Sequence, residues 1–200
     1  MKKLLTILLL FTSFAVAEIA TIDMNTTFLK YHRTIKAEKK MREQLKLIET
    51  RAAEMKRKYD AEVASFEKLM RESTDITIDK ETRKIKKELA DEKKTEIIRT
   101  EKTMRAFNTD AKELLRKQHD GSREEILKEI KDVIKALAIK NNYDIVLDNS
   151  GKTSNLIPAI IVSGSKTDIT QDILKTLNKG HEQFIADWAR EKNGKPQPKK

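Results

Sequence analysis

The residues most suggestive of chemistry lie late in the chain. Gly151-Lys152-Thr153 follows a predicted strand, where a phosphate-binding loop would place its lysine and hydroxyl. Such a loop also needs a glycine five residues before Gly151, and Val146 stands there. Asn155-Leu156-Ile157-Pro158 then heads toward a strand, whereas a phosphate site needs a helix N-terminus at that point. A turn is the simpler reading. Ser163-Gly164-Ser165-Lys166 has Ser-x-x-Lys spacing, but neither Ser-Asp-Asn nor Lys-Thr-Gly accompanies it. His32, His119 and His181 are scattered, without paired metal-ligand spacing. The absence of cysteine removes thiol nucleophiles, cysteine-bound zinc and disulfides. No catalytic constellation, metal site or cofactor is expected, and the protein reads as a non-enzyme.

Charge is the next candidate. Lys80–Arg105 holds ten basic and six acidic residues, a mixture of signs along a helix. It lacks the interleaved aromatics of a single-strand binder, so nucleic acid is expected to bind only nonspecifically, without function. More informative are the adjacent apolar pairs Leu47-Ile48, Leu69-Met70, Ile97-Ile98 and Leu114-Leu115. Neighbours on a helix point about 100° apart, so one member of each pair falls off a narrow seam. Such residues make weak apolar patches on a charged background, or merely widen the seam. Met41, Met55, Met70 and Met104 suit adaptable contacts.

The elements that position these residues follow from helix breakers. The three prolines are Pro158, Pro196 and Pro198, and Gly121 is the only glycine before Asn149. With 37% charged residues and 38% apolar ones, the chain reads as very long helices over a small core. Apolar residues recur in steps of three and four from Met41 to Met70, a coiled-coil stripe. The pattern pauses at Ser73–Asp79, where a tight reversal is expected, with Thr77 or Asp79 capping the returning helix. A second stripe from Ile85 to Leu137 is interrupted by Lys93, Thr100, Gln118 and Ser122, and Gly121 marks a pliable point. Pairs such as Glu38/Arg42, Glu54/Lys58, Glu67/Arg71 and Glu101/Arg105 should support the exposed faces.

Both ends are β-like. Glu18–Met24 places Ala20, Ile22 and Met24 on one face, and Tyr143–Asp148 and Ile160–Val162 read as two more strands. Asp168 or Thr170 should cap a last helix that Gly180 divides. Three short strands are too few to stand alone, so self-association should complete them. Met1–Ala17 has a basic start, an apolar run of about 11 residues and an A-x-A ending, so an export leader cleaved after Ala17 is expected. Its loss removes Lys2 and Lys3 from a formal charge of +10, leaving a basic chain. Lys192–Lys200 reads as a disordered basic tail.

The leader, the IATIDM opening, the charged hairpin, the YDIVLD strand and the Asp168–Leu174 segment together resemble the Skp (OmpH) family of periplasmic chaperones. The resemblance implies a mainly α fold with a small β part: an antiparallel coiled-coil hairpin, or tentacle, on a β-rich trimerisation body. On this reading 18–24 and 142–178 form the body, 25–141 the arm with its tip near 73–79, and 179–200 an extension. It implies a homotrimer that holds unfolded outer-membrane proteins in the periplasm without ATP. It also implies contact with an anionic lipid or lipopolysaccharide surface, with no residue assigned to it. Candidate client-binding residues are Phe66, Leu69, Met70, Ile97, Ile98 and Met104, toward the distal half of the arm. Lys86, Lys87, Lys93 and Lys94 are candidates for electrostatic steering. The rival reading is a structural coiled-coil spacer of the envelope, which would favour a continuous seam and rigid arms.

Overall fold

The computed structural model describes residues 17–194; the expected leader residues 1–16 and tail residues 195–200 lie outside them. Chain order is β1 (Ile19–Ile22), α1 (Met24–Lys30), α2 (His32–Thr74), α3 (Lys80–Asn141), β2 (Ile145–Asp148), α4 (Thr170–Leu177) and α5 (Glu182–Asn193). Two compact units result. Among the described residues one takes 17–32 and 127–194, and the other is Arg33–Ile126.

In the first unit β1 and β2 pair in parallel, with Ile19 opposite Ile145 and Ile22 opposite Asp148. Ala20 and Ile22 are buried, as are Ile169, Ile173, Leu174 and Leu177. Met24 does not extend the strand, contrary to the alternation. Asp23 stops it by accepting the Thr26 amide at 2.7 Å, which makes Met24 the first residue of α1. The far edge of β1 is taken by Asp168, which bridges Thr21, while the Ile169 amide donates to the Thr21 carbonyl at 2.9 Å. The expected strand Ile160–Val162 does not form, and Val162 is 86% exposed. A β-branched run needs a partner strand, and the side of β1 away from β2 is already bridged by Asp168. Asp168 accepts the Thr170 amide at 2.8 Å just before α4, but the N-cap position is Ile169, so neither Asp168 nor Thr170 is the helix cap that was expected. Gly180, at φ +79°, separates α4 from α5 as expected.

In the second unit α2 and α3 pack as a helical hairpin. Their 43 and 62 residues correspond to about 65 and 93 Å at 1.5 Å per residue. The break at Tyr31, where the backbone turns extended (φ −72°, ψ 131°), was not visible in the periodicity. The Tyr31 hydroxyl donates to Glu129 at 2.9 Å. At the far end of α3, Asn142 adopts φ 56°, and the Tyr143 and Asn142 amides donate to Ala138 and Ile139. That double closure is a Schellman cap with asparagine in the glycine position. The helix passes Gly121 without interruption.

The reversal lies where the sequence put it. Asp75 accepts the Thr77 amide and hydroxyl at 2.9 and 2.7 Å, and Asp79 caps α3 by accepting the Thr82 amide at 2.9 Å. Hydrogen bonds from Thr77 hold the Asp75 carboxyl below its ordinary range, and those from Thr82 do the same for Asp79. Depressed carboxylates stabilise the fold above their unfolded pKa, near 3.9, and that stabilisation is lost as pH falls through the lower folded value. Asp79→Ala should therefore speed amide exchange at Thr82 and Arg83 at pH 7, leaving β1 amides unchanged. In the parent chain the same two amides should lose protection below about pH 4, and equal protection at pH 3 and pH 7 would contradict the capping role.

Candidate functional site

The arm's apolar residues divide by how far they turn from the partner helix. Along α2, Met41, Ile48, Ala52, Met55, Tyr59, Val63, Phe66 and Met70 are all half-buried, so the three-four stripe is the seam. On α3 the seam runs through Ala90, Ile97, Met104, Phe107, Ala111 and Ile126. The stripe expected there is displaced at Ile85, Leu89 and Leu114, which are exposed, and beside the last two the contacts fall to the buried Ala90 and the half-buried Leu115. Lys93, Thr100, Gln118 and Ser122 interrupt the pattern in sequence, yet each is half-buried in the hairpin. The seam carries small and polar side chains at positions where leucines would pack more tightly.

The six apolar candidates are therefore unequal. Ile98 is exposed, at 58%, while Phe66, Leu69, Met70, Ile97 and Met104 are half-buried. Met104 lines a shallow cleft with Tyr59, Glu101, Arg105 and Asn108. Three of the four adjacent pairs split as helix geometry requires: Leu47, Ile98 and Leu114 are exposed beside half-buried Ile48, Ile97 and Leu115. Leu69 and Met70 are both half-buried, so that pair widens the seam. Leu45, Ile85 and Leu89 add further exposed apolar surface that the sequence had assigned to the seam.

The four candidate lysines also differ. Lys86 crosses the hairpin to Glu72 at 2.7 Å, and that hydrogen bond is the main reason the Glu72 carboxyl lies below its ordinary range. Lys87 pairs with Asp91 at 3.4 Å and reaches the Met70 sulfur at 3.9 Å. Lys93 binds Glu96, which raises the lysine and lowers the carboxyl. Lys94 is exposed and makes no ion pair among the described residues. Glu38–Arg42, Glu67–Arg71 and Glu101–Arg105 pair as expected, whereas Glu54 turns to Arg51 and Lys58 reaches Glu62 instead.

The turn that mimics a phosphate loop is a small β excursion. Thr153 and Ala159 amides donate to Ile157 and Gly151 carbonyls, and Lys152 bridges Pro158. No helix starts after Lys152 to present amides to a phosphate. Among the described residues no group of three His, Asp or Glu side chains could hold a metal ion, and no helix is long and apolar enough to cross a membrane.

The sequence matches the family of OmpH-like outer membrane proteins over residues 18–177, from the first residue before β1 to the last residue of α4. No curated protein matches it. Membership supports a chaperone-type role at the periplasmic or outer-membrane side of the envelope. The strand pair that joins the chain ends, the helical hairpin between them and this match together place the chain in the OmpH-like family.

Proposed function

We propose that the chain is an ATP-independent holdase that binds unfolded outer-membrane proteins in the periplasm. The observation that carries this is that Leu47, Ile98 and Leu114 are each exposed on a heavily charged hairpin of a chaperone family. Unfolded barrel segments expose alternating apolar side chains, and scattered apolar contacts of low individual affinity suit them. The small and polar residues along the seam, Ala90, Lys93, Thr100, Gln118 and Ser122, support this reading over a rigid spacer, which would favour a continuous apolar stripe. Purified mature protein should suppress aggregation of an unfolded outer-membrane barrel in the absence of nucleotide. Replacing Leu47, Ile98 and Leu114 together by Ser should weaken that protection several-fold while helical circular dichroism is retained. Equal protection by the folded triple variant would remove these residues from the client surface.

Export and cleavage after Ala17 belong to the same proposal. The Glu18 nitrogen lies 2.8 Å from the Asp144 carboxylate, so cleavage of the Ala17–Glu18 peptide bond would turn an amide–carboxylate hydrogen bond into an ion pair. Assembly into a homotrimer is supported by what one chain leaves uncovered. A two-stranded sheet is marginal alone, and Ile145 and Leu147 of β2 are exposed, as are Leu156, Ile161 and Val162 beyond it. Sedimentation equilibrium at micromolar concentration should give three chains per particle, and a folded monomer would contradict it.

Steering completes the proposal. Lys86 and Lys93 are engaged by Glu72 and Glu96, so reversing them damages the hairpin as well as its field. Lys94 offers the cleaner test. Lys94→Glu should slow capture of an acidic unfolded barrel at low salt and have little effect at high salt, where exposed charges are screened beyond about 3–10 Å. Stopped-flow association across a salt series reads this directly, and a salt-independent parent rate would leave the lysines as solubilising charge.

A further inference from the structure

Residues beyond the family match form contacts that the sequence gave no sign of. Asn178 clamps the start of α2: its side-chain oxygen accepts the His32 amide at 2.8 Å, and its side-chain nitrogen donates to the Lys30 carbonyl at 3.0 Å. His32 is buried, and its Nδ1 lies 3.1 Å from the Leu177 carbonyl, which requires the proton on that nitrogen. His181 lies flat against it, with ring centroids 3.7 Å apart and planes 25° from parallel. The same residue opens α5: its amide donates to Asn178 and its carbonyl accepts from Ile185. Trp188 on that helix is 9% exposed, a degree of cover that a twelve-residue helix cannot give its own indole.

We infer that Asn178–Asn193 is an acid-released latch on the α1–α2 junction, with the stacked His32 and His181 rings as its sensor. Neutral imidazoles stack well. When both rings are protonated, two like charges face each other within a stack that is partly shut off from water, and they repel. Imidazole is the side chain whose charge changes near neutral pH. The His32 proton already on Nδ1 is committed to the Leu177 carbonyl, so a second proton must enter at Nε2. The charged groups that contacts bring to the pair lie on two sides. Glu182, in the first turn of α5, accepts the Gly180 amide at 3.1 Å, and that bond with its own amide keeps its carboxyl below the ordinary range. On the other side Tyr31 meets His32 edge-on and donates to Glu129. Glu182 therefore offsets one added proton, at His181, and the second proton drives separation. The latch should open on acidification, as the facing rings take up charge, and close on return to neutral pH.

Trp188 is the single tryptophan and reports the latch directly. Mature protein is taken from pH 7.5 to pH 5.0 while tryptophan emission and far-ultraviolet circular dichroism are followed together. Emission should shift to longer wavelength between pH 7.5 and pH 5.0, and the dichroism, dominated by α2 and α3, should hold. His181→Phe keeps an aromatic ring against His32 but cannot take a proton, so its emission should stay constant across the range. His181→Gln serves the same comparison if the phenylalanine variant packs poorly at pH 7.5. An unchanged parent emission, a shift of equal size in both variants, or a parallel loss of helical signal would each overturn the latch.

Discussion

The arm exists as an excursion only because residues 18–25 are tied to residues 144–170 across more than a hundred intervening positions. The Glu18 and Ile22 carbonyls accept from Asp144 and Asn149, and the Asp23, Met24 and Asn25 amides donate to Thr170, Asp148 and Ser150. Closing a loop of that length costs entropy, but the cost grows only with the logarithm of length. A hairpin of 43 and 62 residues is therefore little dearer to close than a much shorter loop. Every amide from Asp23 to Thr27 finds an acceptor, so the strand-to-helix corner is fully satisfied before any apolar packing is counted.

Within the arm the same economy runs the other way. Two long helices in contact along one stripe bury little per residue, and here the stripe includes Ala90, Lys93, Thr100, Ala111, Gln118 and Ser122. Alanine allows close approach but contributes little apolar area, and half-buried polar groups subtract from it. Leu89, Ile98 and Leu114 each lie one position from a residue of that stripe, and a narrow contact leaves them outside it. Their exposure follows from the same compromise. A surface suited to weak apolar contacts is then not an added feature of the arm but the residue of a seam kept narrow.

Much of this was legible beforehand. The hairpin tip, the end of α3 at Asn141, the β1 and β2 segments and the division at Gly180 each carry a local signal in a short stretch of residues. Asp79, Asn142 and Gly180 act through their own backbone conformation, so a sequence shows them. What failed depended on a partner elsewhere. Ile160–Val162 has strand composition, but a strand also needs a partner, and the side of β1 away from β2 is bridged by Asp168 instead. Leu89 and Leu114 match the spacing, yet the rotation of α3 against α2 selects Ala90 and Leu115 instead. Tyr31 breaks the first helix in company with Glu129, a residue 98 positions away. Leu69, Met70, Ile97 and Ile98 were found by adjacency, which separates on-seam from off-seam residues but cannot say which of two neighbours faces out.

Charge placement follows the same division between local and distant. Pairs at i and i+4 on one helix, such as Glu101–Arg105, neutralise each other within a few ångströms and contribute little to the field beyond a Debye length. Lys86 is of another kind, because its partner Glu72 belongs to the opposite helix and the bond fixes the hairpin's register near the tip. A lysine spent on register is poorly placed to attract a distant molecule. The long-range field of the arm must then come from lysines such as Lys94, whose charge no neighbour cancels among the described residues. Excess basic charge and hairpin register thus draw on different residues, although the sequence presents them as one run of lysines.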